Sequence, residues 1–137
     1  MKRDHFPPDI REFYFDFDWE NCKVWNLDIP VESILITDIQ WHLDMPFWAS
    51  VPGKPLFDLV PNDVLRQLDE YPYHREKLEK CDTSFPIDVM WSEGRFVILD
   101  GIHRLAKLKM MGATLVRIRK IPTEMIPKIR KEIRNKR

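Results

Sequence analysis

The chain has 137 residues, 44% hydrophobic and 32% charged, and a formal net charge of zero. That length and balance fit one globular domain with its own core and exclude a disordered or low-complexity chain. Cys22 and Cys81 are too few and too far apart for a disulfide scaffold, neither has a Cys or His at metal-ligand spacing, and no apolar run approaches the ~20 residues that cross a bilayer.

The N-terminus lacks the apolar stretch of a secretory signal, so a reducing, cytoplasmic setting is expected, with no membrane partner and no structural metal. The zero net charge conceals an asymmetry. Residues 1–60 carry 11 acidic against 5 basic side chains, residues 61–102 carry 9 against 5, and residues 103–137 carry 2 against 12. Such polarity points either to an anionic partner on the C-terminal side or to a basic end packed beside acidic surface.

In chain order, residues 1–22 read as an aromatic arm. Phe13, Phe15, Phe17 and Trp19 alternate with Tyr14 and two aspartates, which is the period of a strand, although Pro7 and Pro8 favour an arm or edge strand. Lys23 to Pro30 reads as a strand, and Val31 to Ile36 as a turn of helix or a second extended piece. Residues 41–62, with four prolines and Gly53, read as a long loop. Asn62 or Asp63 is placed to cap a helix running to about Leu68, and a second helix is expected around His74–Lys80. Phe85–Trp91 and Arg95–Leu99 form a hairpin around Ser92-Glu93-Gly94. A helix from Ile102 to Met111 follows, with Leu105, Leu108 and Met111 as its apolar stripe and Gly112 as its stop. Thr114–Ile121 is the last strand, and residues 122–137 are expected to form a basic terminal helix broken at Pro127. The fold class is α+β, a small mixed sheet flanked by helices, with an arm at 1–22, the domain at 23–121 and the basic helix at 122–137.

The densest chemistry lies at Asp100-Gly101-Ile102-His103-Arg104, where a strand runs into a helix. Asp100 is a good N-cap, and Gly101 lets backbone approach a ligand closely. The first helical turn leaves N–H groups without partners and carries the positive end of the helix dipole. His103 and Arg104 add side-chain donors in that turn, and a guanidinium matches phosphate oxygens as a fork. The corner therefore reads as an anion site.

Residues about 24–121 resemble the ParB/sulfiredoxin superfamily. The resemblance rests on an early segment ending Ile-Pro-Val-Glu-Ser-Ile, on Phe-Pro-Ile-Asp-Val, on Phe-Val-Ile-Leu-Asp-Gly-Ile-His-Arg-Leu-Ala and on a closing Leu-Val-Arg-Ile. The Asp-Gly-x-His-Arg-x-Ala signature is the specific part, and it is nearest to the free serine kinase and ParB branch. The resemblance implies that residues 100–104 hold the phosphates of a nucleotide, ATP, ADP or CTP, accompanied by magnesium where the chemistry needs it. It leaves the base open. A sulfiredoxin places its catalytic Cys where this chain has Ile102, so sulfinic-acid reduction is not expected. Sixteen residues follow Ile121, fewer than a ParB helix-turn-helix domain needs, so operator reading by that means is not expected either.

A phosphotransferase also needs a base beside its accepting hydroxyl. By resemblance to the serine kinases, the loop after the first strand supplies it, which nominates Asp44, with His42 second; the alternative is that the loop's rings plug the core and Asp44 faces water. The resulting expectation is a nucleotide-binding phosphotransferase or NTP hydrolase acting on a small hydroxyl-bearing substrate. The alternatives are a nucleotide-gated module without chemistry and a weak DNA-binding or nuclease-like protein. Nucleic acid binding through the basic end, Lys120 to Arg137, is expected to be weak and sequence-independent at most.

Overall fold

The computed structural model describes residues 6–54 and 56–132. Its centre is a four-stranded sheet in the order β1-β4-β2-β3, built from β1 (Val31–Leu35), β2 (Ile87–Ser92), β3 (Arg95–Asp100) and β4 (Leu115–Lys120). β1–β4 and β2–β3 are antiparallel pairs, and β2 and β4 run parallel. The architecture is therefore α+β with a mixed sheet, as the alternation of apolar runs and helical stretches implies.

The β2–β3 hairpin closes over Glu93-Gly94, with Ser92 paired to Arg95 and positive φ at both loop residues, 49° and 82°. That is the backbone of a two-residue turn matched to strand twist, and glycine carries half of it without strain. The hairpin's register then slips: Val89 faces Ile98, but Asp88 faces Asp100, so Leu99 is the extra residue of a bulge.

Helices cover both faces of the sheet. The crossover helix α5 (Ile102–Met110) buries Leu105 and Ala106 against Ile87, Val89, Ile98 and Ile118. Beside it lie α3 (Pro61–Arg66) and α4 (Pro72–Lys80). The expected α5 stripe ends early: the helix stops at Met110, which leaves Met111 two-thirds exposed. The cap of α3 is also different. Val60 occupies the N-cap and Pro61 the first turn, where a missing N–H costs nothing, while Asn62 turns its amide to Asp44.

The opposite face is covered by the N-terminal segment. Phe6, Ile10, Phe13, Tyr14, Phe15 and Phe17 are all buried, packed on Met90, Val97 and Leu99. These rings belong to the core, and the expected boundary at residue 22 falls inside the helix α2 (Asn21–Trp25), after the single turn α1 (Pro8–Arg11). Trp19 makes one bridge to Arg130, flanked by Glu20 N–H to Ile129 O and Lys131 N–H to Asp18 O, so the two ends of the described chain are stitched together.

Two expectations are corrected here. The strand foreseen at Lys23–Pro30 is helical at its start, and the edge strand comes after Pro30, at Val31–Leu35, because it is those residues that find pairing partners on β4. The basic terminal helix is short: a 3-10 turn at Thr123–Met125 leads into α6 (Ile126–Ile129), and Arg130 is already extended. Residues 133–137 lie outside the described residues.

Candidate functional site

The bulge at Leu99 decides the geometry at the end of β3. It brings Asp100 directly opposite Asp88 and onto the same face of the sheet. Opposed like charges are destabilising on a sheet, and each carboxylate is answered by its own arginine. Arg119, the register partner of Asp88 on β4, donates its Nε to Asp88 at 2.6 Å, its Nη1 to Leu27 O at 2.8 Å and its Nη2 to Val24 O at 2.8 Å. Arg104, one turn into α5, donates Nη2 to Asp100 at 2.9 Å and Nη1 to Pro86 O at 2.7 Å. Trp25 adds its indole N–H to the same Asp100 oxygen at 2.8 Å. Burial raises the carboxyl pKa of Asp88, and the hydrogen bond and charge of Arg119 oppose that rise.

These groups line a cavity of about 510 Å³ together with Phe85 and Pro86. Trp25 and Phe85 leave more than half of their surface open, 58% and 61%. The volume falls in the roughly 300–1,000 Å³ range of small-molecule sites, and apolar walls over a few placed polar groups are their usual lining.

The corner itself differs from the sequence expectation in three respects. Asp100 does not cap α5. The N-cap is Gly101, at φ 122°, and the Asp100 carboxylate is turned to Arg104 and Trp25. The close approach that Gly101 allows is to the protein, since a Cβ there would stand 3.1 Å from Ile87 Cγ1. His103 does not face the cavity as a donor. It stacks on Trp48 with centroids 4.3 Å apart, and its Nε2 lies 3.1 Å from Nδ1 of His74. Burial, with the nearby charges of His74 and Lys77, lowers its pKa to about 3, so it is a neutral ring. Ile102 packs between the two core clusters and offers the site only its backbone. The first N–H taken up by the helix is that of Leu105, on Gly101 O at 2.9 Å, which leaves the N–H groups of Ile102, His103 and Arg104 ahead of the ladder.

The two nominated bases lie elsewhere. His42 is fully buried; its Nδ1 donates to Ile39 O at 2.6 Å, and its Nε2 accepts the N–H of Ile98 at 3.0 Å. With both nitrogens engaged and desolvation lowering its pKa to about 3, it is a structural tie between the 3-10 turn and β3. Asp44 is exposed and accepts from Asn62, whose carbonyl oxygen accepts from Lys109. Lys109 is seven residues past Ile102, roughly 10 Å along the helix axis, so Asp44 sits by the far end of α5.

Sequence reasoning missed Trp25, Phe85 and Arg119 as lining residues and gave no sign that His74 is buried. A signal existed for Asp88, a charge flanked by Ile87 and Val89 within a strand. None existed for Trp25, which reaches the cavity from a helix expected to be a strand. Among the described residues no three His, Cys, Asp or Glu side chains gather as a metal site, and no helix is long and apolar enough to cross a membrane. Comparison of the chain with protein-family models, with curated proteins and with solved structures finds no match.

Proposed function

We propose that this chain is a nucleotide-binding protein of the ParB/sulfiredoxin kind, which holds the phosphates of ATP, ADP or CTP at the first turn of α5 and the base in the adjoining cavity. The observation that carries the reading is the cavity at Asp100 and Arg104, walled by two open aromatic rings, beside the free N–H groups at the start of a nine-residue helix. Arg104 still has its Nε–H for a phosphate oxygen, and its two anchored nitrogens hold the fork in place. A magnesium ion would be held chiefly by phosphates and water, with Asp100 as the nearest carboxylate.

Binding without chemistry has the better support of the two narrower readings, because neither Asp44 nor His42 stands at the corner. Phosphoryl transfer to a small hydroxyl-bearing substrate, or NTP hydrolysis, is the other. Calorimetry with ATP, ADP and CTP, with and without magnesium, tests the binding. Arg104→Ala removes a charge-assisted hydrogen bond of about 1.5–3 kcal/mol, so affinity should fall more than about tenfold. Unchanged affinity in that variant places the nucleotide elsewhere. A phosphate-release assay separates the narrower readings: turnover supports the enzyme, whereas silence with a nucleotide-dependent change of oligomeric state supports a gated module.

A further inference from the structure

The sheet has two edges, and the fold treats them differently. At β3 the edge is covered, since the N–H of Ile98 goes to His42 Nε2 at 3.0 Å. At β1 it is open. Ile36 donates its N–H to Thr114 O at 2.9 Å in continuation of the β1–β4 register, so the positions of β1 that bond to β4 are Ile34 and Glu32. The N–H and C=O groups of Val31, Ser33 and Leu35 therefore point away from β4, and no hydrogen bond from another described residue reaches them. Ile34 packs on the α5 side of the sheet, which puts the side chains of Val31, Ser33 and Leu35 together on the other face. There they are exposed, Val31 by 44% and Leu35 by 54%, and Leu115, opposite Leu35 on β4, extends the apolar surface. Open edges are ordinarily blunted by a charge. Here Glu32, the one charge of β1, is paired with Lys120 at 3.4 Å.

We infer that β1 is a dimerisation edge, on which a second copy of this chain pairs its own β1 antiparallel about a two-fold axis at Ser33, so that the two sheets become one. A two-fold interface must be complementary to itself. The exposed order Val31, Ser33, Leu35 meets that condition, because apolar, hydroxyl, apolar reads the same from either end. With Ser33 on the axis, Val31 stands opposite the partner's Leu35, Leu35 opposite the partner's Val31, and the two Ser33 hydroxyls meet. All three pairs bring outward N–H and C=O groups together, which makes about six main-chain hydrogen bonds. A shift of two residues either way leaves an apolar side chain without its counterpart, so the pattern fixes the register. At roughly one hydrogen bond per 100–200 Å² of interface, the joint covers about 600–1,200 Å², the size of a weak, reversible dimer. Val31 is also the register partner of Arg119, so the joint runs beside the cavity in each copy. It forms from the strands alone and needs no nucleotide.

The test is sedimentation equilibrium of the full chain, without nucleotide, from about 1 µM to about 1 mM, a range that spans weak association. The mean mass should rise from monomer toward dimer, and hydrogen exchange at the Ser33 and Leu35 amides should slow as it rises. Leu35→Lys alters an exposed side chain and should weaken the dimer at least about tenfold by placing a charge on the edge. Adding Val31→Glu to it should restore affinity to within about threefold of the parent, because position 31 of one copy faces position 35 of the other and the two new charges are opposite. Ser33→Pro removes an outward N–H, spares the bonds to β4 and should also give monomers. The two charge variants stand even where Ser33→Pro misfolds. A monomer throughout the range would overturn the inference, whatever else covers the edge. So would a dimer indifferent to Leu35→Lys, which joins through another surface, or a double variant that stays monomeric, which denies the register.

Discussion

Asp88 and Asp100 face each other across β2 and β3, and they do so because one residue, Leu99, is extra. Without the bulge Leu99 would stand opposite Asp88, and Asp100 would stand opposite Ile87, on the other face of the sheet. The arrangement sets two carboxylates together in a largely buried place, which folding alone would avoid, and it holds them with two arginines drawn from two further elements, β4 and α5. Bulges commonly re-aim a side chain next to a site, and here the re-aimed side chain is the one that meets Trp25, Arg104 and the cavity at once.

The Asp88–Arg119 pair should be the more costly of the two to break. Its side chains are 3% and 10% exposed, and the same arginine holds the carbonyls of Val24 and Leu27. Arg119→Met leaves a buried, uncompensated carboxylate and should lower stability by about 3–5 kcal/mol in urea unfolding. The double variant Asp88→Leu with Arg119→Met should recover much of that loss, because two apolar groups replace two charges. The exposed pair Arg75–Asp69 serves as the control, and its loss should cost no more than about 1 kcal/mol. Equal effects at the two sites would show that the buried pair carries no special weight.

Gly101 and Gly112 both have positive φ, 122° and 78°, and differ in what surrounds them. A Cβ on Gly112 meets nothing within 4 Å, whereas one on Gly101 meets Ile87 Cγ1 at 3.1 Å and Cγ2 at 3.2 Å. Gly112→Ala should cost about 1–2 kcal/mol from backbone conformation alone. Gly101→Ala should cost clearly more, since the Ile87 side chain or the start of α5 must also give by a few tenths of an ångström, and it should weaken nucleotide binding at that first turn. Thermal unfolding of the two variants side by side decides the point.

Two neutral histidines, one buried and one half-buried, set a pH dependence of stability. His42 and His103 are held near pKa 3 in the fold, against about 6.5 in an unfolded chain. Below that value the unfolded state takes up protons that the folded state refuses. Their contribution is therefore fully present above pH 6.5 and is lost as pH falls toward 3. Each histidine should cost up to about 1.4 kcal/mol per pH unit over the interval from 6 to 5. Urea midpoints at pH 7.5, 6 and 5 should fall steadily. A flat profile would mean that one or both rings accept a proton without leaving the fold.

Asp44→Asn should leave nucleotide affinity within about twofold of the parent, because the substitution is exposed and sits by the far end of α5. A loss of more than tenfold would bring the loop back into the site and reopen the reading of Asp44 as a base.

The hairpin, α5 and β4 were legible in the chain because each is a local pattern with its own stops: Glu93-Gly94, Gly112 and Pro122. The corner at 99–104 was legible as a strand–helix junction for the same reason. What each side chain does there was not. His103 and Arg104 are neighbours on one helical turn, yet one stacks on Trp48 and the other reaches Asp100. His42 and Asp44 are two residues apart in a 3-10 turn, and one is buried while the other is open. The short helix α2 and the strand β1 carry similar apolar spacing over five residues, too few to separate the two periods, and pairing with β4 settled which became the strand. The cavity draws Trp25, Phe85, Asp88, Asp100, Arg104 and Arg119 from separate stretches of the chain. Composition and periodicity act over neighbours, whereas this meeting depends on strand register and on one bulge, which exist only once distant segments have paired.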